Sequence, residues 1–328
     1  MTMLAIALLF GGLVLLVLGA ELLVRGAASI AVAAGISPLV VGLTVVAFGT
    51  SSPELAASLM AAGSGQPALA LGNVVGSNVF NILLILGLAA AITPLAVDRQ
   101  LLWLDVPLMI AVSLVAWGMA ADGRIDRLDG AVLVAVVVGY TVVLARISRR
   151  VPAAVEQEYV EEFGARVTTS PIVWIRSSAA VLGGLLMLVF GSRWLVEGAV
   201  AIARSLAVSE LVIGLTLVAG GTSLPELATS AVAAIRGHRD IAVGNVVGSN
   251  VFNLTMVLGS TALVATGTLE VPRDAIAFDL PTMVAAAVLC WPLLLTKRTV
   301  ARWEGAVLLC GYIAYAGWLV LRAGAAPA

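Results

Sequence analysis

Charge is what this chain has least of. Asp, Glu, Lys and Arg together make up 11% of its 328 residues, whereas hydrophobic types make up 61%. Mean hydropathy is +1.10. A water-soluble chain of this length needs far more polar surface, so lipid must serve as much of its solvent. The two cysteines, Cys290 and Cys310, fall in apolar segments and read as buried packing residues rather than a disulfide or ligands. The single histidine, His238, stands beside Arg236, Arg239 and Asp240 and reads as a solvated loop residue. Zinc-ligand spacing, a nucleophile elbow and a phosphate-binding loop are all missing. With no sizeable polar domain either, the sequence points away from an enzyme and from an ATP-driven pump. Net charge is -1 and the basic residues are scattered, which leaves no field for a nucleic-acid partner.

Apolar stretches are abundant instead. They run approximately over 3–20, 28–61, 70–91, 101–120, 129–146, 172–191, 200–234, 242–265, 275–296 and 303–322. A membrane-crossing helix needs about 20 apolar residues, so ten spans are expected. The first stretch has no basic segment before it and no cleavage region after it, so it reads as a helix rather than a signal peptide.

The second and seventh stretches are longer and carry matching interruptions, Gly49-Thr-Ser-Ser-Pro-Glu54 and Gly221-Thr-Ser-Leu-Pro-Glu226. Proline cannot donate a backbone hydrogen bond and glycine loosens the preceding turn, so both predict a broken helix with a polar gap. Downstream, the ten residues from Gly72 to Asn81 recur unchanged from Gly244 to Asn253. Both pairs of blocks are offset by 172 positions. Glu21 and Arg25 answer to Arg193 and Glu197 at the same offset, with the charges exchanged. Asp105 pairs with Asp279, each followed by proline near the start of its span, and both read as membrane-edge residues. Asp129 pairs with Glu304.

These correspondences predict an all-α membrane protein of ten transmembrane helices in two inverted five-helix repeats, with helices 2 and 7 broken. The repeats are 1–146 and 172–328, joined by a polar cytoplasmic linker at 147–171 that holds the acidic run Glu156, Glu158, Glu161 and Glu162. Five spans per repeat is an odd number, so the second repeat enters from the opposite side. With the N-terminus outside, twelve of the eighteen basic residues fall in cytoplasmic segments. The positive-inside bias therefore predicts both termini outside, in a multi-pass protein of the cell inner (plasma) membrane.

A carboxylate in hydrocarbon must be neutralised by a proton, a counter-charge or a metal ion. No basic residue lies near the repeated motifs, so Glu54 and Glu226 lack a salt-bridge partner and together offer a formal charge of -2. Thr50, Ser51, Thr222 and Ser223, with carbonyls freed at the breaks, are hard oxygen donors of the kind calcium and sodium prefer. Asn73, Ser77 and Asn81 are four apart on one helical face, repeated by Asn245, Ser249 and Asn253. Ser77, Asn81, Ser249 and Asn253 complete the expected site, while Asn73 and Asn245 hold the broken helices in register. Taken singly, any such Asn or Ser reads as interhelical glue. Two glutamates at equivalent places in inverted copies shift the reading to cation ligation.

The paired blocks resemble the two alpha repeats of the cation/calcium antiporter superfamily, especially its prokaryotic sodium–calcium exchangers, over nearly the whole chain. The resemblance implies ten helices around a central diamond of ion sites, exchanging cytosolic calcium for external sodium with no cofactor. It makes Glu54 and Glu226 the carboxylates shared by both ions, with oxygens from Thr50, Ser51, Thr222 and Ser223. It puts Ser77 and Ser249 at outer sodium positions and Asn81 and Asn253 at the remaining corners. Some relatives carry an aspartate at one of those corners, whereas both are asparagine here. Calcium/proton exchange is the alternative within transport. A channel and a membrane scaffold that binds no ion are the alternatives outside it. Calcium ions, sodium ions and the lipid bilayer are the expected partners, with no obligatory protein partner.

Overall fold

The computed structural model describes residues 2–147, 170–206, 219–265, 267–295 and 298–325. Nearly all of these are helical. The helices are α1 (Thr2–Ala34), α2 (Pro38–Thr50), α3 (Ser52–Gly63), α4 (Pro67–Ile92), α5 (Leu101–Asp122), α6 (Arg127–Ile147) and α7 (Pro171–Ser205). Then follow α8 (Leu224–Ile235), α9 (Arg239–Val264), α10 (Ala275–Leu295) and α11 (Arg302–Ala325). Among the described residues, eight helices are long and apolar enough to cross a membrane, and the bent pair α2–α3 makes a ninth candidate. The expected tenth crossing falls partly on 207–218, outside the described residues. So does the acidic run of the linker.

The first and sixth helices outrun their expected ends at 20 and 191. α1 has 33 residues and α7 has 35. At about 1.5 Å per residue each is roughly 50 Å long, against a hydrocarbon thickness of about 30 Å. The charges that seemed to end these spans are instead paired one turn apart. Arg25 bonds Glu21 and Arg193 bonds Glu197, so each helix continues through its ion pair. Residues 28–34 and 200–205 accordingly belong to α1 and α7 rather than to the broken spans.

α1 and α7 pack along each other more extensively than any other described pair. Gly12, Gly19 and Gly26 face Gly191, Gly184 and the Ser177–Val181 backbone, with Gly198 against Ala5 and Leu9. The seven-residue spacing keeps these glycines on one seam. The molecular axis is elsewhere. For α9, 94% of the most apolar window is buried, and for α4 67%, against 28% for α1 and 17% for α11. α4 and α9 therefore form the centre, and the outer helices turn apolar faces such as Phe10, Leu13 and Ile313 outward to lipid.

Two short strand pairs tie the halves together. β1 (Leu95–Ala96) pairs with β4 (Thr299–Val300), and β2 (Arg124–Ile125) pairs with β3 (Leu269–Glu270). Trp117 donates to Ile276 O and Trp291 to Leu102 O, a reciprocal bond between equivalent ends of α5 and α10. Asp129 accepts from Asp126 N and Glu304 from Ala301 N, so this matched pair caps the starts of α6 and α11.

The expectations for His238 and Cys310 need correction, and Asp105 is placed more fully than the sequence allowed. Asp105 was expected near the membrane edge, close to the start of its span, and it lies in the first turn of α5. It is fully buried and accepts bonds from Tyr140 Oη at 2.8 Å and Gln100 Nε2 at 3.2 Å, fixing α5 to α6. Its counterpart Asp279 is half-buried. His238 is 7% exposed rather than solvated, because Arg236 reaches back to Glu21 and the left-handed turn at Gly237 folds the loop inward. Cys290 is buried as expected, but Cys310 is exposed on α11. Both cysteines are free.

Candidate functional site

The serines at the two breaks share one backbone conformation. α2 ends at Thr50, Ser51 takes φ -83° and ψ 6°, and α3 leaves at a bend of 42°. In the second copy Ser223 takes φ -88° and ψ 6° before α8 begins. Pro53 and Pro225 lie in the first turn of the following helix, where a missing N–H costs nothing. Glu54 and Glu226 occupy that same turn.

Each glutamate is held by the opposite break. Ser51 Oγ donates to Glu226 Oε1 at 2.8 Å, and Ser223 Oγ is 2.8 Å from Glu54 Oε1. Both carboxylates are 0% exposed. Among the described residues no basic side chain pairs with either. Ser223 also bonds Ser77 Oγ at 3.0 Å, which draws α4 into the same cluster.

Asn73 and Asn245 hold the register as expected. Asn73 Nδ2 donates to Glu54 O at 3.1 Å and Ser58 Oγ at 2.9 Å. Asn245 Nδ2 donates to Glu226 O at 3.4 Å and Ser230 Oγ at 2.9 Å. Thr50 donates to Asn245 Oδ1 at 3.1 Å, and Thr222 to Asn73 Oδ1 at 3.3 Å. The two threonine hydroxyls are thus turned onto the asparagines. Their lone pairs remain available to a cation.

The other four expected residues are reached differently. Asn81 and Asn253 lie at the starts of π-helical turns, Phe80–Leu86 and Asn253–Val257, which follow the α-helical turns that carry Ser77 and Ser249. Asn253 donates to Asn78 Oδ1. Neither amide atom of Asn81 has a partner among the described residues, nor does Ser249 Oγ or Asn253 Oδ1. Oε2 of Glu54 and of Glu226 is likewise buried and without a partner among the described residues. Buried oxygens are ordinarily satisfied, and two orphaned carboxylate oxygens are chemically suited to a hard cation.

Sequence reasoning missed Ser58, Ser230, Asn78 and Asn250. The signal was present for all four. Ser58 and Ser230 follow their glutamates by one helical turn and share the 172 offset, and the two asparagines lie within the duplicated block.

A family model described as sodium/calcium exchanger protein matches residues 4–146 and 177–321. The chain belongs to the sodium/calcium exchanger family. It is therefore a multi-pass membrane antiporter of the cation/calcium superfamily. Putative antiporter CaxA of Alkalimonas amylolytica is 39% identical over 93% of this chain and 95% of its own length. Sodium/calcium exchanger MaX1 of Methanosarcina acetivorans is 30% identical over 93% and 95%. The solved sodium/calcium exchanger from Methanococcus jannaschii superposes with a TM-score of 0.82 at 31% identity, covering 97% of this chain and 99% of that one. The match to the solved exchanger thus covers nearly the whole chain.

Proposed function

We propose that this antiporter exchanges calcium for sodium by alternating access, with Glu54 and Glu226 as the ligands both ions share. The observation that carries the reading is the crossed pair of serine–glutamate bonds, which leaves one oxygen of each carboxylate buried and without a partner among the described residues. A formal charge of -2 suits one calcium ion, and sodium ions can discharge the same pair on the return step. Ser77, Asn81, Ser249 and Asn253 complete the shell, with further oxygens from Thr50, Ser51, Thr222 and Ser223.

The strand pairs support a ten-span layout of two inverted repeats, 1–146 and 172–328, joined by the 147–171 linker. Hydrogen-bonded strands lie on one side of the membrane, so an even number of crossings separates them. Between β2 and β3 the described full-length crossings are α6, α7 and α9. An even count needs one more, which α8 and the residues preceding it would supply. The same parity holds between β1 and β4. In this reading the positive-inside bias favours β1 and β4 in the cytosol and both termini outside.

In the proposed cycle α1 and α7 slide as one unit, joined by their glycine seam, against the core built on α4 and α9. An occupied site passes through the occluded state because its carboxylates are discharged. An empty site retains two unpaired buried charges and resists the crossing, which makes exchange obligatory.

Calcium-45 uptake into proteoliposomes, driven in turn by a sodium and by a pH gradient, tests the coupling. Sodium stimulation without a pH difference is the expected result. Uptake driven by protons with sodium absent would establish the rival calcium/proton reading, which the same glutamates can serve.

A further inference from the structure

Asn78 and Asn250 stand 172 positions apart and meet where α4 crosses α9. Each is 1% exposed. Asn78 Nδ2 donates to the backbone oxygen of Asn250 at 3.4 Å and lies 3.7 Å from Met283 Sδ. Held at its nitrogen, Asn78 presents Oδ1 to Asn253, whose Nδ2 donates to it at 3.2 Å.

The consequence for Asn253 is directional. A carboxamide has a donor end and an acceptor end. With Nδ2 fixed on Asn78, Oδ1 of Asn253 faces the other way, buried and without a partner among the described residues. A cation is attracted to the oxygen and repelled by the N–H group, so this orientation decides whether Asn253 is a ligand at all.

The equivalent bond in the other repeat would join Asn81 Nδ2 to Asn250 Oδ1. It is not formed, and both atoms are buried and without a partner among the described residues. Asn250 has turned its Nδ2 to Val246 O, 2.8 Å away in its own helix. One arm of a two-fold arrangement is therefore set and the other is open, although the two ten-residue blocks are identical.

We propose that Asn78 is a positioning residue for Asn253, and Asn250 for Asn81. Each accepts from the Nδ2 of its partner and thereby turns the partner's Oδ1 onto the transported cation. In the second arm, capture of a cation by Asn81 Oδ1 presents its Nδ2 to Asn250 and completes the bond. The inference rests on the cation site proposed above. The two asparagines need not touch the ion themselves.

A double-mutant cycle tests it in the full-length protein. Calcium-45 uptake is measured against calcium concentration for wild type, Asn78→Ala, Asn253→Ala and the double variant, with calcium binding followed by titration calorimetry. Asn78→Ala is expected to raise the calcium KM about tenfold while the maximal rate stays within about twofold. In the Asn253→Ala background it should add nothing, because no carboxamide remains to be turned. Equal losses in both backgrounds would show that Asn78 acts through packing, and would overturn the assignment. An unchanged KM in the single variant would overturn it as well. Should Asn78→Ala fail to fold, Asn78→Leu fills the volume without an acceptor and is read in the same way. Wild-type protein that binds neither calcium nor sodium removes the cation site itself, and this inference with it. That outcome is distinct from a normal wild type with an additive cycle.

Discussion

The Ser51 hydroxyl donates to Oε1 of Glu226 over 2.8 Å, so the serine at one break holds the carboxylate at the other. Ser223 returns the bond to Glu54 and also holds Ser77. A hydrogen bond to a charged group contributes about 1.5–3 kcal/mol. Ser51→Ala is therefore expected to raise the calcium KM by about tenfold. Ser223→Ala should raise it further, since it releases Glu54 and Ser77 together. Calcium-45 uptake curves check the order, and a Ser51→Ala loss larger than that of Ser223→Ala would contradict the geometry.

Removing a charge should be more severe than removing a donor. Glu54→Gln and Glu226→Gln preserve size and can keep the serine bond, but leave one negative charge to face a divalent ion. Breaking a buried charge pair costs about 3–5 kcal/mol, so calcium uptake should fall at least about a hundredfold in either variant. The reciprocal bonding predicts losses of similar size for the two. Either variant retaining full calcium flux would reject its carboxylate as a shared ligand.

The register asparagines allow a stability comparison. Asn245 is 0% exposed and ties Thr50, Ser230 and the Glu226 carbonyl together. Asn73 makes the equivalent bonds but is half-buried, so water can replace part of what it supplies. Asn245→Ala should lower the free energy of unfolding by about 2–3 kcal/mol, and Asn73→Ala by about 1 kcal/mol. Thermal unfolding in a single detergent gives the comparison. Equal shifts would mean that burial does not separate the two.

What the sequence made legible depended on repetition. Two carboxylates without counter-charges, at matched breaks, located the polar centre, and Asn73 and Asn245 could be assigned to the register from their spacing alone. The ends of α1 and α7 were hidden because Glu21–Arg25 and Arg193–Glu197 look like span boundaries until their pairing is seen. Cys310 was misjudged for a physical reason. A helix in lipid is apolar on both faces, so the periodicity that separates buried from exposed positions in water is lost. Asp105 was hidden because its shorter bond comes from Tyr140 on α6, 35 residues along the chain, and only Gln100 is a local partner. The difference between Asn81 and Asn253 lay beyond any sequence reading, since identical blocks cannot encode their own asymmetry.

The seam between α1 and α7 gives a last test, one independent of the ions. A Cβ on Gly191 would lie 2.8 Å from Leu16 N and 2.9 Å from Gly12 O, and backbone cannot move aside as a flexible side chain can. Gly191→Ala must therefore push the two helices apart, at a cost of about 1–3 kcal/mol. Gly139 on α6 provides the contrast. It is exposed, a Cβ there would meet nothing within 4 Å, and alanine is the better helix former by about 1 kcal/mol. Gly139→Ala should leave the melting temperature unchanged or raise it, while Gly191→Ala lowers it. If α1 and α7 also move as one unit, Gly191→Ala should reduce the maximal transport rate more than it alters the calcium KM, because the site lies on α2, α3, α4, α8 and α9. A KM effect without a rate effect would separate the seam from the transport step.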